Sequence, residues 1–229
     1  MTAAERAEEL QALALVASGC TTCRLHESRT TVVFGSGDPD ADLMIVGEGP
    51  GRHEDEQGLP FVGPSGALLD RLLAEIDLER DRGVYIANVV KCRPPGNRDP
   101  RPDEIDACKG YLRTQLRLVD PKVVLTLGNF SSKLLLRTET GITRLRGTAY
   151  EWWGRHLVPT FHPAAALRGS ARVLGEMRAD LALVRSVIDG NLPGMHRPGP
   201  GPTAGDAAAP DPASPPPAET DPEQLDLFR

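Results

Sequence analysis

The sequence predicts an α/β fold: a three-layer α/β/α sandwich around a central, mostly parallel four-stranded sheet, followed by a disordered C-terminal tail. Four short apolar runs, of the kind that form buried parallel strands, alternate with segments of helical periodicity. Connections between parallel strands are right-handed and place helices on both faces of the sheet. The predicted strands lie at 42–47, 84–90, 122–128 and 156–161.

Four segments carry the apolar spacing of helices. An Ala- and Glu-rich run opens the chain, and Ser65 is expected to cap the second helix, whose leucines and Ile76 share one face. The predicted helices lie at about 3–17, 65–76, 103–118 and 171–188.

Composition separates a folded domain, residues 1–190, from a tail, residues 191–229. Ten of the 21 prolines follow Asn191, and the tail has too few large apolar side chains to offset its conformational entropy. The tail holds −4 of the net charge of −6. The domain is therefore close to neutral, and any binding to nucleic acid must come from a local basic patch.

The chain shows no sign of a membrane span or a secretory signal. Its apolar runs are short, and its N-terminal residues are acidic where a signal peptide would be basic. These features predict a cytoplasmic protein, in which cysteines serve a metal centre or catalysis rather than disulfides. Cys20 and Cys23, matched by Cys92 and Cys108, suit either tetrahedral zinc or a cubane iron–sulfur cluster.

Polar residues stand where three of the predicted strands end. Glu48 follows the first strand, Asn88 lies near the end of the second, and His162 follows the last. Ligands of open α/β sheets bind beyond the carboxyl ends of the strands. We therefore expect a carboxylate, an amide and an imidazole to share one crevice.

The segment 47–66 is rich in glycine and proline, which allows its backbone to approach a ligand closely. It lacks the lysine of a phosphate-binding Walker loop, and its glycine spacing is not that of a dinucleotide-binding fold. A nucleotide cofactor is therefore not expected. Phe61 in this segment is either a core residue or a face on which a planar base stacks.

Taken together, these motifs resemble the family 4 uracil-DNA glycosylases, the iron–sulfur-containing branch of the uracil-DNA glycosylase superfamily. The resemblance covers roughly residues 10 to 190. It rests on GEGPGRHEDEQGLPFVGPSG at 47–66, NVVKCRPPGNRDP at 88–100, HPAAALR at 162–168 and cysteines at 20, 23, 92 and 108.

The resemblance implies a monofunctional enzyme that hydrolyses the N-glycosidic bond of an extruded deoxyuridine and leaves an abasic site. His162 would donate a hydrogen bond to uracil O2, Asn88 would read the base edge, and Phe61 would stack on the ring. Glu48 would orient water and stabilise the sugar cation, with Glu54 and Asp55 as weaker candidates for that role.

Other residues acquire expected roles from the same resemblance. The best-known branch of the superfamily has an Asp and a bulky Tyr in this loop, and the Tyr blocks the thymine methyl group. The corresponding positions here are Gly49 and Gly51. Another residue must therefore exclude thymine, and Glu54 and His53 are the candidates. Leu167 is either helix core or a wedge that fills the gap left by the extruded nucleotide.

Basic residues crowd the Cys92 loop and follow His162. The loop carries Lys91, Arg93, Arg98 and Arg101. We expect contacts with DNA phosphates from Arg93, Arg98 and Arg168. The resemblance also selects a 4Fe-4S cluster for the four cysteines, as a buried clip between the N-terminal helix and the sheet rather than a catalytic group.

The tail ends in a peptide that resembles the motif by which bacterial replication and repair proteins dock on the sliding clamp. Gln224, Leu225, Asp226, Leu227 and Phe228 match that motif at all five positions. A polar, proline-rich linker would give this peptide reach and keep the enzyme at high local concentration near the clamp. The alternative interpretation is a hydrophobic terminus that packs back on the domain, and the clamp interpretation is favoured over it.

Three other functions stay open at this point. A glycosylase acting mainly on another deaminated base, such as hypoxanthine or xanthine, would share the same motifs. A non-catalytic iron–sulfur protein would bind damaged DNA without releasing a base. A redox carrier would not need Glu48 or His162. The favoured interpretation is a monomeric uracil-DNA glycosylase.

Overall fold

The computed structural model describes residues 1–169 and 171–191. The predicted tail beyond Asn191, including the peptide 224–228, lies outside the described residues. Within the described part of the chain, no helix is long and apolar enough to cross a membrane.

One mixed sheet of six strands runs through the domain, in the order β1-β3-β2-β4-β6-β5. The strands are β1 (Ser36–Gly37), β2 (Leu43–Gly47), β3 (Val84–Asn88), β4 (Val123–Leu127), β5 (Tyr150–Trp152) and β6 (Arg155–Thr160). The predicted α/β/α sandwich with four parallel strands is confirmed by β3, β2, β4 and β6. The predicted total of four was wrong, because short antiparallel strands β1 and β5 form the edges.

Helices cover both faces of this sheet. They are α1 (Ala3–Ser18), α2 (Arg52–Gln57), α3 (Pro64–Ala74), α4 (Pro102–Val119), α5 (Asn129–Leu136), α6 (Ile142–Leu145), α7 (Pro163–Leu167) and α8 (Ala171–Ile188). Buried residues of α1, α4 and α5 form one apolar core and those of α3 and α8 form the other. The four predicted helices are confirmed to within two residues at each end, as α1, α3, α4 and α8.

Helix α3 begins at Pro64 with Gly63 as its N-cap, so Ser65 is not the cap. Proline suits the first turn of a helix because its missing N–H has no partner there, and its ring fixes the helical φ angle. The entry into α3 therefore depends on the Gly63–Pro64 pair.

Strand register brings the carboxyl ends of the parallel strands to one edge of the sheet. Gly47 at the end of β2 pairs with Asn88 at the end of β3, and Leu127 of β4 pairs with Thr160 of β6. The loops that carry the predicted polar residues leave from this edge, which we call the carboxyl edge.

Candidate active site

Two side chains meet at Gly47 on the carboxyl edge, and a third lies beside them. A Cβ atom placed on Gly47 would lie 2.4 Å from Asn88 Oδ1 and 2.8 Å from Phe61 Cζ. The ring of Phe61 in turn lies 5.7 Å from the ring of His162, centroid to centroid. Only glycine fits at position 47, because any side chain would displace the amide and the ring from each other.

Asn88 presents a buried acceptor that nothing in the described structure satisfies. The residue is fully buried at the end of β3, and its Oδ1 has no hydrogen-bond partner among the described residues. Leaving a buried polar atom unpaired costs about 1–3 kcal/mol. An orphan acceptor of this kind points to a ligand that donates an N–H at this position.

Phe61 is held in a strained backbone conformation. Its φ of 53° lies in the left-handed region, which a bulky side chain rarely adopts. The Arg80 guanidinium donates to the carbonyl of Phe61 and, at 2.8 Å, to that of Pro60. A Cβ on Gly66 would lie 1.7 Å from the Phe61 carbonyl oxygen, so the start of α3 also fixes this turn. The ring is thereby fixed beside Asn88.

His162 is a neutral donor. Its Nδ1 accepts a hydrogen bond from the backbone N–H of Ala164 at 3.2 Å, which leaves the proton of the neutral ring on Nε2. Burial lowers the pKa of His162, and the charge of Arg168 lowers it further. At neutral pH the ring therefore offers an Nε2–H group to a ligand.

A buried ion pair supports the strand that carries His162. Asp180 of α8 accepts from the Thr160 hydroxyl at 2.6 Å and from Arg146 Nη2 at 2.7 Å. Sequence reasoning missed this network. Its signal is a charged residue within the apolar stripe of α8, at the spacing of Met177 and Val184.

Glu48 is half-buried directly after β2, and its backbone carbonyl accepts from the Val90 N–H at 3.2 Å. Burial raises the pKa of Glu48 to about 7, with further contributions from the charge of the Asp99 carboxylate and from a hydrogen bond to it. A carboxyl group that is partly buried beside another carboxylate makes a base that titrates near neutrality. Asp99 was not predicted, because no sequence pattern links it to Glu48.

Glu54 and Asp55 hold the loop around the pocket. Glu54 Oε1 accepts from the backbone N–H groups of Val62 and Gly63, at 3.0 and 3.3 Å, so it fixes the turn after Phe61. Asp55 is buried and accepts from the Thr30 N–H at 2.9 Å. Both carboxylates are engaged with backbone, which leaves Glu48 as the acid nearest the end of β2.

Gly49 and His53 lie on either side of this loop. A Cβ on Gly49 would lie 2.9 Å from Val90 Cγ2, so glycine allows the backbone to pass close to the β3 loop. His53 Nδ1 would lie 3.2 Å from a Cβ on Gly63, next to the turn that Glu54 holds.

Leu167 and Arg168 lie at the exposed end of α7. Leu167 is 45% exposed, so it is not part of the helix core. Arg168 is exposed and close enough to His162 to lower the pKa of that ring. The turn after His162 therefore projects an apolar and a basic side chain beside the pocket.

The basic residues of the Cys92 loop have different surroundings. Arg98 donates to both oxygens of the fully buried Glu104 carboxylate, at 2.8 and 2.6 Å, so its guanidinium is committed to the protein. Arg93 Nε donates to Asn97 Oδ1 at 2.7 Å. Lys91 is fully buried, and Nζ donates to the Asn88 carbonyl and to Gln115 Oε1 at 2.7 and 2.6 Å. Of these three residues, Arg98 forms an ion pair that stabilises the loop.

The four cysteines line one cavity between α1, α4 and the Cys92 loop, together with apolar side chains and Tyr111. Cys92 Sγ accepts from Arg29 at 3.4 Å, and Cys108 Sγ accepts from the Lys91 backbone N–H at 3.3 Å. Among residues 1–169 and 171–191, no three His, Cys, Asp or Glu side chains are grouped to hold a single metal ion.

Comparison with known proteins identifies a family for this chain. Residues 34–182 match the family model described as the uracil DNA glycosylase superfamily. The type-4 uracil-DNA glycosylase of Sulfurisphaera tokodaii is 48% identical over 157 residues, which cover 65% of this chain and 71% of the relative.

Two further relatives carry the same type-4 name. The Thermotoga maritima protein is 45% identical, over 68% of this chain and 81% of its own. The Pyrobaculum aerophilum protein is 40% identical, over 76% of this chain and 92% of its own. The chain therefore belongs to the uracil-DNA glycosylase superfamily, and these similarities place it with the type-4 enzymes.

Proposed function

We propose that this chain is a DNA repair glycosylase that hydrolyses the N-glycosidic bond of deoxyuridine, releases free uracil and leaves an abasic site. The observation that carries the proposal is the unpaired, buried Oδ1 of Asn88 beside the ring of Phe61 and the neutral ring of His162. These groups offer one acceptor, one stacking face and one donor to a single planar base.

Uracil matches that set of groups. Asn88 Oδ1 accepts from uracil N3–H, and the amide N–H₂ donates to O4. Cytosine presents its donor and acceptor in the reverse order, which leaves two buried groups unpaired. His162 Nε2–H donates to O2, where negative charge develops as the base departs as an anion.

Glu48 acts on the sugar side of the bond. As a carboxylate it stabilises the sugar cation and orients the water that attacks the anomeric carbon. A pKa of about 7, caused mainly by burial and then by Asp99, leaves a large fraction of Glu48 ionised at neutral pH. Asp99 is then a positioning residue, which adds to the effect of burial on the proton occupancy of Glu48.

DNA contacts come from the exposed turn at the end of α7. Leu167 fills the gap left by the extruded nucleotide, because an exposed leucine beside the pocket has no packing role in the domain. Arg168 binds a flanking phosphate. Gly49 lets backbone approach the base, and Glu54 holds the Phe61 turn.

A 4Fe-4S cluster is part of the proposal. Four thiols around one cavity, two of which accept N–H hydrogen bonds, suit thiolate ligands of a cluster. Cys20, Cys23, Cys92 and Cys108 would hold it, and it would tie α1 to the loop after β3. No step of the base release passes through it.

We further propose a monomeric, cytoplasmic enzyme built of a domain, residues 1–190, and a tail that ends in a clamp-docking peptide. Full-length protein should bind a bacterial sliding clamp, whereas deletion of Gln224 to Phe228 should abolish that binding and leave uracil release from a short oligonucleotide unchanged. Loss of both would contradict a separable tether.

The test of the activity is a single-turnover reaction with an oligonucleotide that contains one uracil. We expect free uracil in the supernatant and an alkali-labile site in the DNA. Parallel reactions with oligonucleotides that contain hypoxanthine or xanthine test whether the enzyme prefers another deaminated base. Binding without release indicates a damage-binding protein, and a reversible cluster potential with no base release indicates a redox carrier.

A further inference from the structure

A groove on the opposite side of the molecule has no role in the proposed reaction. It lies between α4 and the β5–β6 hairpin, at the end of the sheet where β6 begins, away from the carboxyl edge. Its volume is about 200 Å³. The groove is lined by Arg113, Leu116, Arg117, Trp152, Trp153 and Arg155.

The groove combines positive charge with an aromatic wall. Trp153 is 55% exposed at the hairpin tip, where its φ of 51° holds the backbone in the left-handed region. Arg117 is exposed and forms no ion pair with another residue of the described ranges. Arg155 pairs with Asp120 at 2.5 Å, yet its buried Nε has no partner within the described structure. These features suit a ligand with acidic and large apolar side chains.

The chain itself carries a segment of that composition. It continues for 38 residues beyond Asn191, and residues 192–229 carry six acidic and two basic residues. The last part, 219–229, combines four acidic residues with Leu225, Leu227 and Phe228. Its charge and its apolar side chains both complement the groove.

The segment can reach the groove. The acidic residue after α8, Asp189, has its pKa lowered by Arg185 and also by Lys122, which directly precedes β4. The end of α8 therefore lies at the end of the sheet where the parallel strands begin, which is also the end where the groove lies. The 28 residues from 192 to 219 would span about 29 Å on average if they behaved as a random coil, whereas a domain of 190 residues has a radius of gyration of about 16 Å.

We propose that residues 219–229 dock in this groove through their apolar side chains and are held there by the arginines. A tethered segment experiences an effective concentration in the millimolar range, so even weak complementarity suffices. The groove is smaller than the roughly 300–1,000 Å³ of typical small-molecule sites, which favours anchoring by a side chain. The inference does not depend on the proposed glycosylase activity. It makes docking in the groove and docking on a clamp mutually exclusive, because both would use Leu225, Leu227 and Phe228.

Intrinsic fluorescence tests the proposal directly, because the chain has two tryptophans and both line the groove. The full-length chain is compared with the triple variant Leu225→Ala, Leu227→Ala, Phe228→Ala. We expect the triple variant to emit at longer wavelength and to be quenched more by acrylamide. The control, Leu192→Ala with Met195→Ala, removes apolar side chains elsewhere in the tail and should match the parent.

A synthetic peptide of residues 219–229 added to the triple variant should return the tryptophan emission to the wavelength of the parent, and the effect should saturate with peptide concentration. Arg117→Glu in that background should weaken peptide binding at least several-fold, whereas Arg71→Glu, an equal charge change on α3, should not. Identical spectra of parent and triple variant would overturn the proposal. So would a uracil-free oligonucleotide that shifts the emission where the peptide does not, since the groove would then bind nucleic acid.

Discussion

The pocket at the carboxyl edge and the cavity of the cysteines lie on either side of the β3 end, yet their polar atoms are treated in opposite ways. In the pocket, Asn88 Oδ1 is buried and unpaired, and Phe61 is strained. In the cavity, the thiols of Cys92 and Cys108 accept hydrogen bonds from the protein itself. Buried polar atoms without a hydrogen-bond partner are typical of a site that binds a ligand transiently. Buried polar atoms that the protein itself hydrogen-bonds are typical of a structural site.

One buried side chain joins the two regions. Lys91 Nζ donates to the Asn88 carbonyl, and the Lys91 backbone N–H donates to Cys108 Sγ. The loop that carries Cys92 therefore also fixes the end of β3. We expect damage to the cavity to affect stability and damage to the pocket to affect chemistry, and the following predictions separate the two.

The largest effect is expected at the cavity. If the four thiols hold the proposed cluster, Cys108→Ser should remove it and lower the free energy of unfolding by more than about 4 kcal/mol, because loss of a metal centre is among the most destabilising changes. Iron content, visible absorbance and thermal unfolding measure it. Ala107→Ser changes a residue of the same cavity wall that is not a proposed ligand, so this variant should retain the cluster. Equal losses of iron and stability in both variants would contradict the role of Cys108 as a ligand.

In the pocket, Glu48→Gln should reduce the single-turnover rate by about 10²–10⁴-fold, because the amide can neither activate water nor balance the sugar cation. Thermal stability should change little. Glu56→Gln, an exposed neighbour on α2, serves as the control. A rate within threefold of the parent, on the order expected for a surface change, would remove Glu48 from the mechanism.

His162→Ala should slow uracil release by about 10²–10³-fold, as for other preorganised donors to a developing oxyanion. The affinity for uracil-containing DNA should fall much less, since the donor acts mainly on the charged transition state. His156→Ala, at the opposite end of β6, is the matched control. Equal losses in binding and rate would indicate that His162 only packs.

Asn88→Ala should cost about 1–3 kcal/mol in kcat/KM for uracil, the value of a buried hydrogen-bonding group. Selectivity against cytosine should fall by a similar factor, because the reading group is gone. Competition between uracil- and cytosine-containing oligonucleotides measures both. Unchanged selectivity would show that another residue reads the base.

The smallest effect is expected from Asp99→Asn. The pKa of Glu48 is raised to about 7, mainly by burial and then by Asp99, so the carboxylate is lost and the rate falls as pH decreases through about 7. Removing the Asp99 charge should lower that pKa and move the acid limb of the pH–rate profile to lower pH. Asp106→Asn on α4 is the control and should not change the pH–rate profile. If the acid limb stays at the same pH in the Asp99→Asn variant as well, Asp99 does not contribute to the pKa of Glu48.

The fold was predictable from the regular spacing of apolar residues. Four buried strands and the long helices α1, α4 and α8 follow from apolar periodicity, and Glu48, Asn88 and His162 follow from the rule that ligands lie at strand ends. The edge strand β1 has two residues and β5 has three, too few for a period-two pattern to emerge.

Pairings between distant polar residues could not be read from the sequence. The contacts of Asp99 with Glu48 and of Arg98 with Glu104 depend on how loops fold, and no spacing rule encodes them. Burial likewise depends on the tertiary structure, which is why Lys91 lies in the interior although the loop that follows it carries Arg93, Arg98 and Arg101. Charged residues within apolar helical stripes, such as Asp180, are the one signal that was available.

The most direct test of the account is a crystal structure of the chain with free uracil. We expect the base to stack on Phe61, N3–H to donate to Asn88 Oδ1, and His162 Nε2 to lie within hydrogen-bond distance of O2. Uracil bound elsewhere, or bound here with Asn88 Oδ1 still unpaired, would contradict the central claim that this pocket selects the base and accepts it as the leaving group.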